Sequence, residues 1–182
     1  MDGGTLAAQI APIMKNGLLV PIKDGWVELH EPKVMTVVVA ELPDGATVID
    51  MRKFGSLSGI RNGPWKQSCD YLLVCRTGGI DEVVFVELKR TLSDEEKAKE
   101  QLRWSLPYLD HLRSVCRIEY GASPRRVPAR YVIIGKRTTP YLAKQRVSGD
   151  PVLPNVSYQG ITIHRLVGSR LRFPWLKGDR TS

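Results

Sequence analysis

Apolar residues recur at helical spacing in two stretches of the chain. Leu6, Ile10, Ile13 and Met14 share one face between Leu6 and Lys15, which predicts a first helix stopped by Asn16-Gly17. Ala98, Leu102, Leu109 and Leu112 form a second stripe between Asp94 and Leu112, and Ser93 with Glu96 predicts a capping box at its start. Pro107 lies inside that stripe and is expected to kink or divide the helix, because proline removes a backbone donor. Elsewhere the pattern is that of strands. Leu18 to Ile22, Trp26 to His30, Val34 to Leu42 and Thr47 to Met51 are separated by turn signals at Lys23-Asp24-Gly25, Glu31-Pro32 and Pro43-Asp44-Gly45. Residues 55–63 read as a Gly/Ser-rich loop. Asp70 to Cys75 and Val83 to Leu88 are apolar on both faces, which predicts a sheet covered on both sides, and Thr77-Gly78-Gly79 predicts the hairpin between them. Tyr131 to Gly135 and Ile161 to Leu166 read as further strands, with a short helix from Thr139 to Gln145. The pattern implies one domain over residues 1–167 and a basic, frayed C-terminal tail over 168–182.

Composition narrows the class. With 182 residues the chain is long enough for a full core, and 42% apolar against 25% charged residues excludes disorder and fibrous repeats. No apolar run approaches the roughly 18 residues of a membrane span. Asp2 stands where a signal peptide carries Lys or Arg. Three cysteines without a CxxC pair suggest neither a disulfide scaffold nor zinc. The chain reads as soluble, reduced and cytoplasmic, with no membrane partner.

Charge adds a partner. Lys and Arg number 27 and Asp and Glu 19, a net of +8. Residues 1–112 hold 13 basic and 16 acidic residues (−3), and residues 113–182 hold 14 and 3 (+11). Such asymmetry points to a polyanion, with Arg125, Arg126, Arg130, Lys136 and Arg137 as expected nucleic-acid contacts. A merely solvated basic surface, or a segment docking an acidic protein, gives the same count.

One constellation carries chemistry. Asp70 opens an apolar strand, and Glu87-Leu88-Lys89 closes the next. In a tight hairpin this places two carboxylates and an ammonium at one end of an otherwise apolar sheet, with Glu87 and Lys89 pointing the same way. Carboxylates held close and dry repel, and a divalent cation removes the conflict. A lysine beside such a cation suits phosphodiester hydrolysis. The plainer reading makes Asp70 a turn residue and Glu87 with Lys89 a solvated ion pair, which leaves the two-sided apolar pattern unexplained. His30, His111 and His164 have no ligand spacing.

Cys69-Asp70-Tyr71-Leu72-Leu73-Val74 followed by Val84-Phe85-Val86-Glu87-Leu88-Lys89 resembles the PD-(D/E)xK nuclease superfamily. The resemblance implies an α/β, restriction-endonuclease-like fold with a mixed central sheet flanked by helices. It implies a nuclease in which Asp70, Glu87 and the Leu88 carbonyl hold Mg²⁺ (Mn²⁺ substituting), Lys89 activates or positions water, and Gln101 steadies Lys89. It favours DNA over RNA, and a setting in prokaryotic restriction, anti-phage defence or DNA repair, as a homodimer or within a larger assembly. The sequence departs from the pattern in places. Cys69 stands where proline is common, and Ser105 stands where some branches carry a tyrosine four residues beyond the glutamine. The first helix lacks an acid, which leaves Glu41 or Asp50 for that role. The alternative is a catalytically inactive nucleic-acid-binding or partner-binding module on the same fold.

Overall fold

The computed structural model describes residues 4–54, 68–121, 127–138, 144 and 151–177. The expected loop at 55–63, the helix at 139–145 apart from Lys144, and Arg125 and Arg126 lie outside the described residues. Among those described, no helix is long and apolar enough to cross a membrane.

The fold is mixed α/β, with two mixed sheets and few helices. Helix α1 (Leu6–Ile13) is capped by Thr5, whose Oγ1 accepts from the Ala8 amide at 3.1 Å. Strands β1 (Ile22–Lys23), β2 (Trp26–Glu31), β3 (Met35–Ala40) and β4 (Thr47–Asp50) follow, then a 3-10 turn over Met51–Lys53. Next come β5 (Tyr71–Thr77), β6 (Ile80–Thr91), a second 3-10 turn (Leu92–Asp94) and the long α2 (Glu95–Tyr120). Strands β7 (Ala129–Arg137), β8 (Val152–Tyr158), β9 (Ile161–Val167) and β10 (Arg170–Arg172) precede a short α3 (Phe173–Leu176).

The central sheet has the order β4-β5-β6-β7-β9-β8. β6, β7 and β9 are parallel, and the outer pairs are antiparallel. Side chains alternate across it and build two cores. Leu72, Val74, Val83, Phe85, Tyr131 and Ile133 pack under α1 and α2. Leu73, Val84, Val86, Leu88, Val132 and Ile134 pack against a four-stranded sheet of order β1-β2-β3-β10. The sheet is thus covered on both sides, as its apolar strands require, but only one cover is helical. The other is a sheet because β2 and β3 alternate, with Val27, Leu29, Val37 and Val39 inward and Glu28, His30 and Thr36 outward.

Three expectations need correction. Pro107 does not divide α2, because Pro107 and Arg103 lie on the exposed face, where water can take the carbonyl the ring leaves unpaired. The capping box is replaced by other bonds: Ser93 Oγ meets Thr91 Oγ1 at 2.6 Å, and Glu96 bonds Lys99. The segment after Gly168 is packed through Leu176. β10 pairs in parallel with β3, and Leu171, Phe173 and Leu176 are buried in the second core.

Candidate active site

The geometry begins with two glycines. Gly78 (φ +57°) and Gly79 (φ +82°) form a two-residue turn with both residues left-handed, which only glycine adopts readily. That turn sets Thr77 against Ile80 and, six steps on, Tyr71 against Val86. One further step places Asp70 opposite Glu87, on the α2 side of the sheet, with Lys89 on the same face.

Both carboxylates are enclosed, Asp70 at 6% exposure and Glu87 at 1%. They are cross-braced through the backbone. The Asp70 amide donates to Glu87 Oε2 at 3.1 Å, and the Leu88 amide donates to Asp70 Oδ2 at 2.7 Å. Lys89 Nζ bonds Glu87 Oε1 at 2.5 Å and Gln101 Oε1 at 3.1 Å, so Gln101 reaches from α2 to hold the lysine. Gln101 Nε2 donates in turn to the Ser68 carbonyl at 3.4 Å. Asp70, Glu87, Leu88, Lys89 and Gln101 therefore form one connected cluster.

The electrostatics follow from the crowding. Burial pushes the Asp70 carboxyl up to about 6, with the nearby Glu31 charge adding to the effect and the Leu88 amide opposing it. Burial and the adjacent Asp70 charge push Glu87 up to about 8, against the pull of Lys89. Two acids whose ionised forms repel in a dry place suit a hard cation with oxygen ligands. Mg²⁺ keeps most of its waters and needs only one or two carboxylates, which matches this donor set. Asp70 Oδ1 accepts no hydrogen bond from the described residues, which leaves it available. Among those residues no group of three or more His, Cys, Asp or Glu side chains gathers as a metal cage.

Two features were not foreseen. The first is Ser105, buried in α2, whose Oγ accepts from the Cys69 amide at 2.7 Å and donates to the Gln101 carbonyl at 2.8 Å. It clamps the residue before Asp70 to the helix that carries Gln101. The second is a guanidinium hub on the other side of the sheet. Arg52 makes two bonds to Asp50, at 2.9 and 2.8 Å, bonds the Tyr71 hydroxyl at 2.8 Å, and pairs with Glu31. Burial alone would raise the Asp50 carboxyl, but its bonds to Arg52 and Lys53 hold it below the usual value. Asp50 is therefore committed to Arg52 and sits beside Tyr71, on the face opposite Asp70. Glu41 pairs with Arg172 at 2.5 Å on the second sheet. Neither joins the carboxylate pair. Asp50-Met51-Arg52 at a strand end was the available signal, but nothing in the sequence links Arg52 to Glu31, 21 positions earlier.

The expected cations divide. Lys136 and Arg137 are exposed at the end of β7, where Lys89 pairs with Gly135 and Thr91 with Arg137, so Arg137 shares the cluster's face and Lys136 starts on the opposite one. Exposed Arg90 lies at the same end of the sheet, on the face of Lys136. Arg130 sits at the opposite end of β7, paired with Val84. No protein-family model, curated protein or solved structure matches this chain.

Proposed function

We propose that the chain is a metal-dependent nuclease of the PD-(D/E)xK type on a restriction-endonuclease-like fold, acting on DNA in preference to RNA. The observation that carries this reading is the buried Asp70–Glu87 pair, closed by a lysine that is itself held by a glutamine on the next helix. Asp70, Glu87 and the Leu88 carbonyl would hold Mg²⁺ or Mn²⁺. When bound, the cation supplies charge for the developing phosphorane oxygens and a more acidic water. Lys89 orients or deprotonates the attacking water, and Gln101 keeps Nζ aimed at it. Arg90, Lys136 and Arg137 lie where a phosphate backbone would pass the cluster, and none has an ion-pair partner among the described residues. A cytoplasmic place in prokaryotic defence or repair, alone, as a homodimer or within an assembly, fits this activity.

The test is a cleavage assay on supercoiled, linear and single-stranded DNA and on RNA, in Mg²⁺, Mn²⁺ and EDTA. Metal-dependent cutting is expected, and Lys89→Ala should lower it by roughly 10²–10⁴-fold without loss of the circular-dichroism spectrum of the folded chain. A fully active Lys89→Ala protein would overturn the mechanism. Salt-sensitive DNA binding without cutting would instead assign the chain as an inactive binding module.

A further inference from the structure

Glu87 serves two neighbours at once. Its Oε2 accepts from the Asp70 amide, and its Oε1 accepts from Lys89 Nζ. A cation bound through Glu87 would draw on the same two oxygens, so these contacts are the ones that metal binding weakens. The register between aspartate and lysine then depends on bonds that do not pass through Glu87.

Helix α2 supplies such bonds from a single turn. Gln101 Oε1 takes Lys89 Nζ at 3.1 Å, and Gln101 Nε2 reaches the Ser68 carbonyl at 3.4 Å. One turn on, Ser105 Oγ accepts from the Cys69 amide at 2.7 Å and donates to the Gln101 carbonyl at 2.8 Å. Gln101 thus holds the lysine, Ser105 holds the backbone that delivers Asp70, and the Ser105–Gln101 bond ties the two holds together. Ser105 is fully buried, and the other buried residues of α2 are Ala, Leu, Tyr and Cys. Packing alone asks for no hydroxyl there, since Ala98 fills the same stripe two turns earlier.

We infer that Ser105 is a positioning residue for the cluster: it sets Asp70 relative to Lys89 independently of Glu87, and so keeps their spacing when a cation occupies the carboxylates. The inference rests on the nuclease reading above. Ser105 touches neither substrate nor cation and acts through the Cys69 amide and Gln101. A displacement of about 1 Å at a reacting group can cost on the order of 10²-fold in rate, so the effect is expected in turnover beyond any loss of folded protein.

Cleavage kinetics, Mg²⁺ calorimetry and amide hydrogen exchange test it. Ser105→Ala should lower kcat by roughly tenfold or more with KM for DNA unchanged, and should weaken Mg²⁺ binding. Leu112→Ala, two turns along the same helix, should lower the melting temperature yet leave kcat per folded molecule unchanged, which separates position from stability. In the unaltered chain, Mg²⁺ should change exchange at the Asp70 amide, whose acceptor is Glu87, and leave the Cys69 amide protected. That measurement decides the matter if Ser105→Ala does not fold. Unchanged kcat in Ser105→Ala, an equal loss in Leu112→Ala, or lost Cys69 protection on Mg²⁺ binding would overturn the inference alone. An unaltered chain that neither binds Mg²⁺ nor cuts would overturn the nuclease reading, and the inference with it.

Discussion

Glu87 lies between two opposing influences: the Asp70 carboxylate, which favours its protonation, and the Lys89 ammonium, which favours its charge. Burial tips the balance, so folding raises Asp70 from 3.8 to about 6 and Glu87 from 4.5 to about 8. Over that window the folded chain binds more protons than the unfolded chain, and this pair makes stability fall as pH rises. Its contribution is fully present below the unfolded values and is lost as pH climbs through the folded ones. A cation competes for the same oxygens, so apparent Mg²⁺ affinity should increase with pH up to about 8. Melting temperatures across this range, with and without Mg²⁺, should show a slope in the metal-free protein that flattens with the metal and that loses its part above about pH 6 in Glu87→Gln, where only Asp70 still titrates upward. An unchanged slope in that variant would refute the account. The pair was legible in the sequence because an acid inside an apolar strand has few bland explanations. Ser105 was not legible as a clamp, because a lone serine in a helix gives no sign of a partner 36 positions away. Ser105→Ala strands the buried Cys69 amide and should cost about 1–3 kcal/mol in urea unfolding.

The element that fixes Gln101 relative to Lys89 is the turn from β6 into α2. It crosses β7 at Gly135, where an added Cβ would meet Leu92 Cγ at 2.7 Å and Cδ2 at 2.9 Å. Leu92 is buried, so its γ-carbon cannot swing aside. Gly135→Ala should therefore cost about 1–3 kcal/mol and shift the start of α2, lowering the cleavage rate as well as the unfolding midpoint. Leu92→Ala in the same chain should recover part of that stability, as a double-mutant cycle would measure. Strands β2 to β7 and both long helices could be read from periodicity, since each buries a regular face. β8 could not: Val152 to Tyr158 contains Pro154 and Asn155, and its pairing is interrupted by an irregularity between Leu153 and Val156. β10 was hidden because Arg170-Leu171-Arg172 has the composition of a basic tail. Only the docking of Leu171, Phe173 and Leu176 makes it structure.

At the scale of the whole molecule, the charge asymmetry of the chain does not become a single basic face. Arg137 stands on the face of the carboxylate cluster, Lys136 and Arg90 stand at the same end on the opposite face, and Arg130 stands at the far end of β7. Summed charge predicted a polyanion partner, but only the register of β6 on β7 sorts which cations stand by the cluster. If Lys136 and Arg137 each neutralise one phosphate, replacing both by Ala should reduce the slope of log affinity against log salt by about 1.8. An unchanged slope would move the nucleic-acid track elsewhere. The second sheet is completed from distant parts of the chain: Glu41 and Arg172 meet at the β3–β10 junction from 131 positions apart. A nascent chain on the ribosome therefore presents β3 as a bare backbone edge throughout synthesis of β5 to β9. The carboxylate hairpin can pair early, yet the layer beneath it closes only once residues 170–176 have emerged. A chaperone that shields that edge during translation would act on yield, and not on the finished protein's activity.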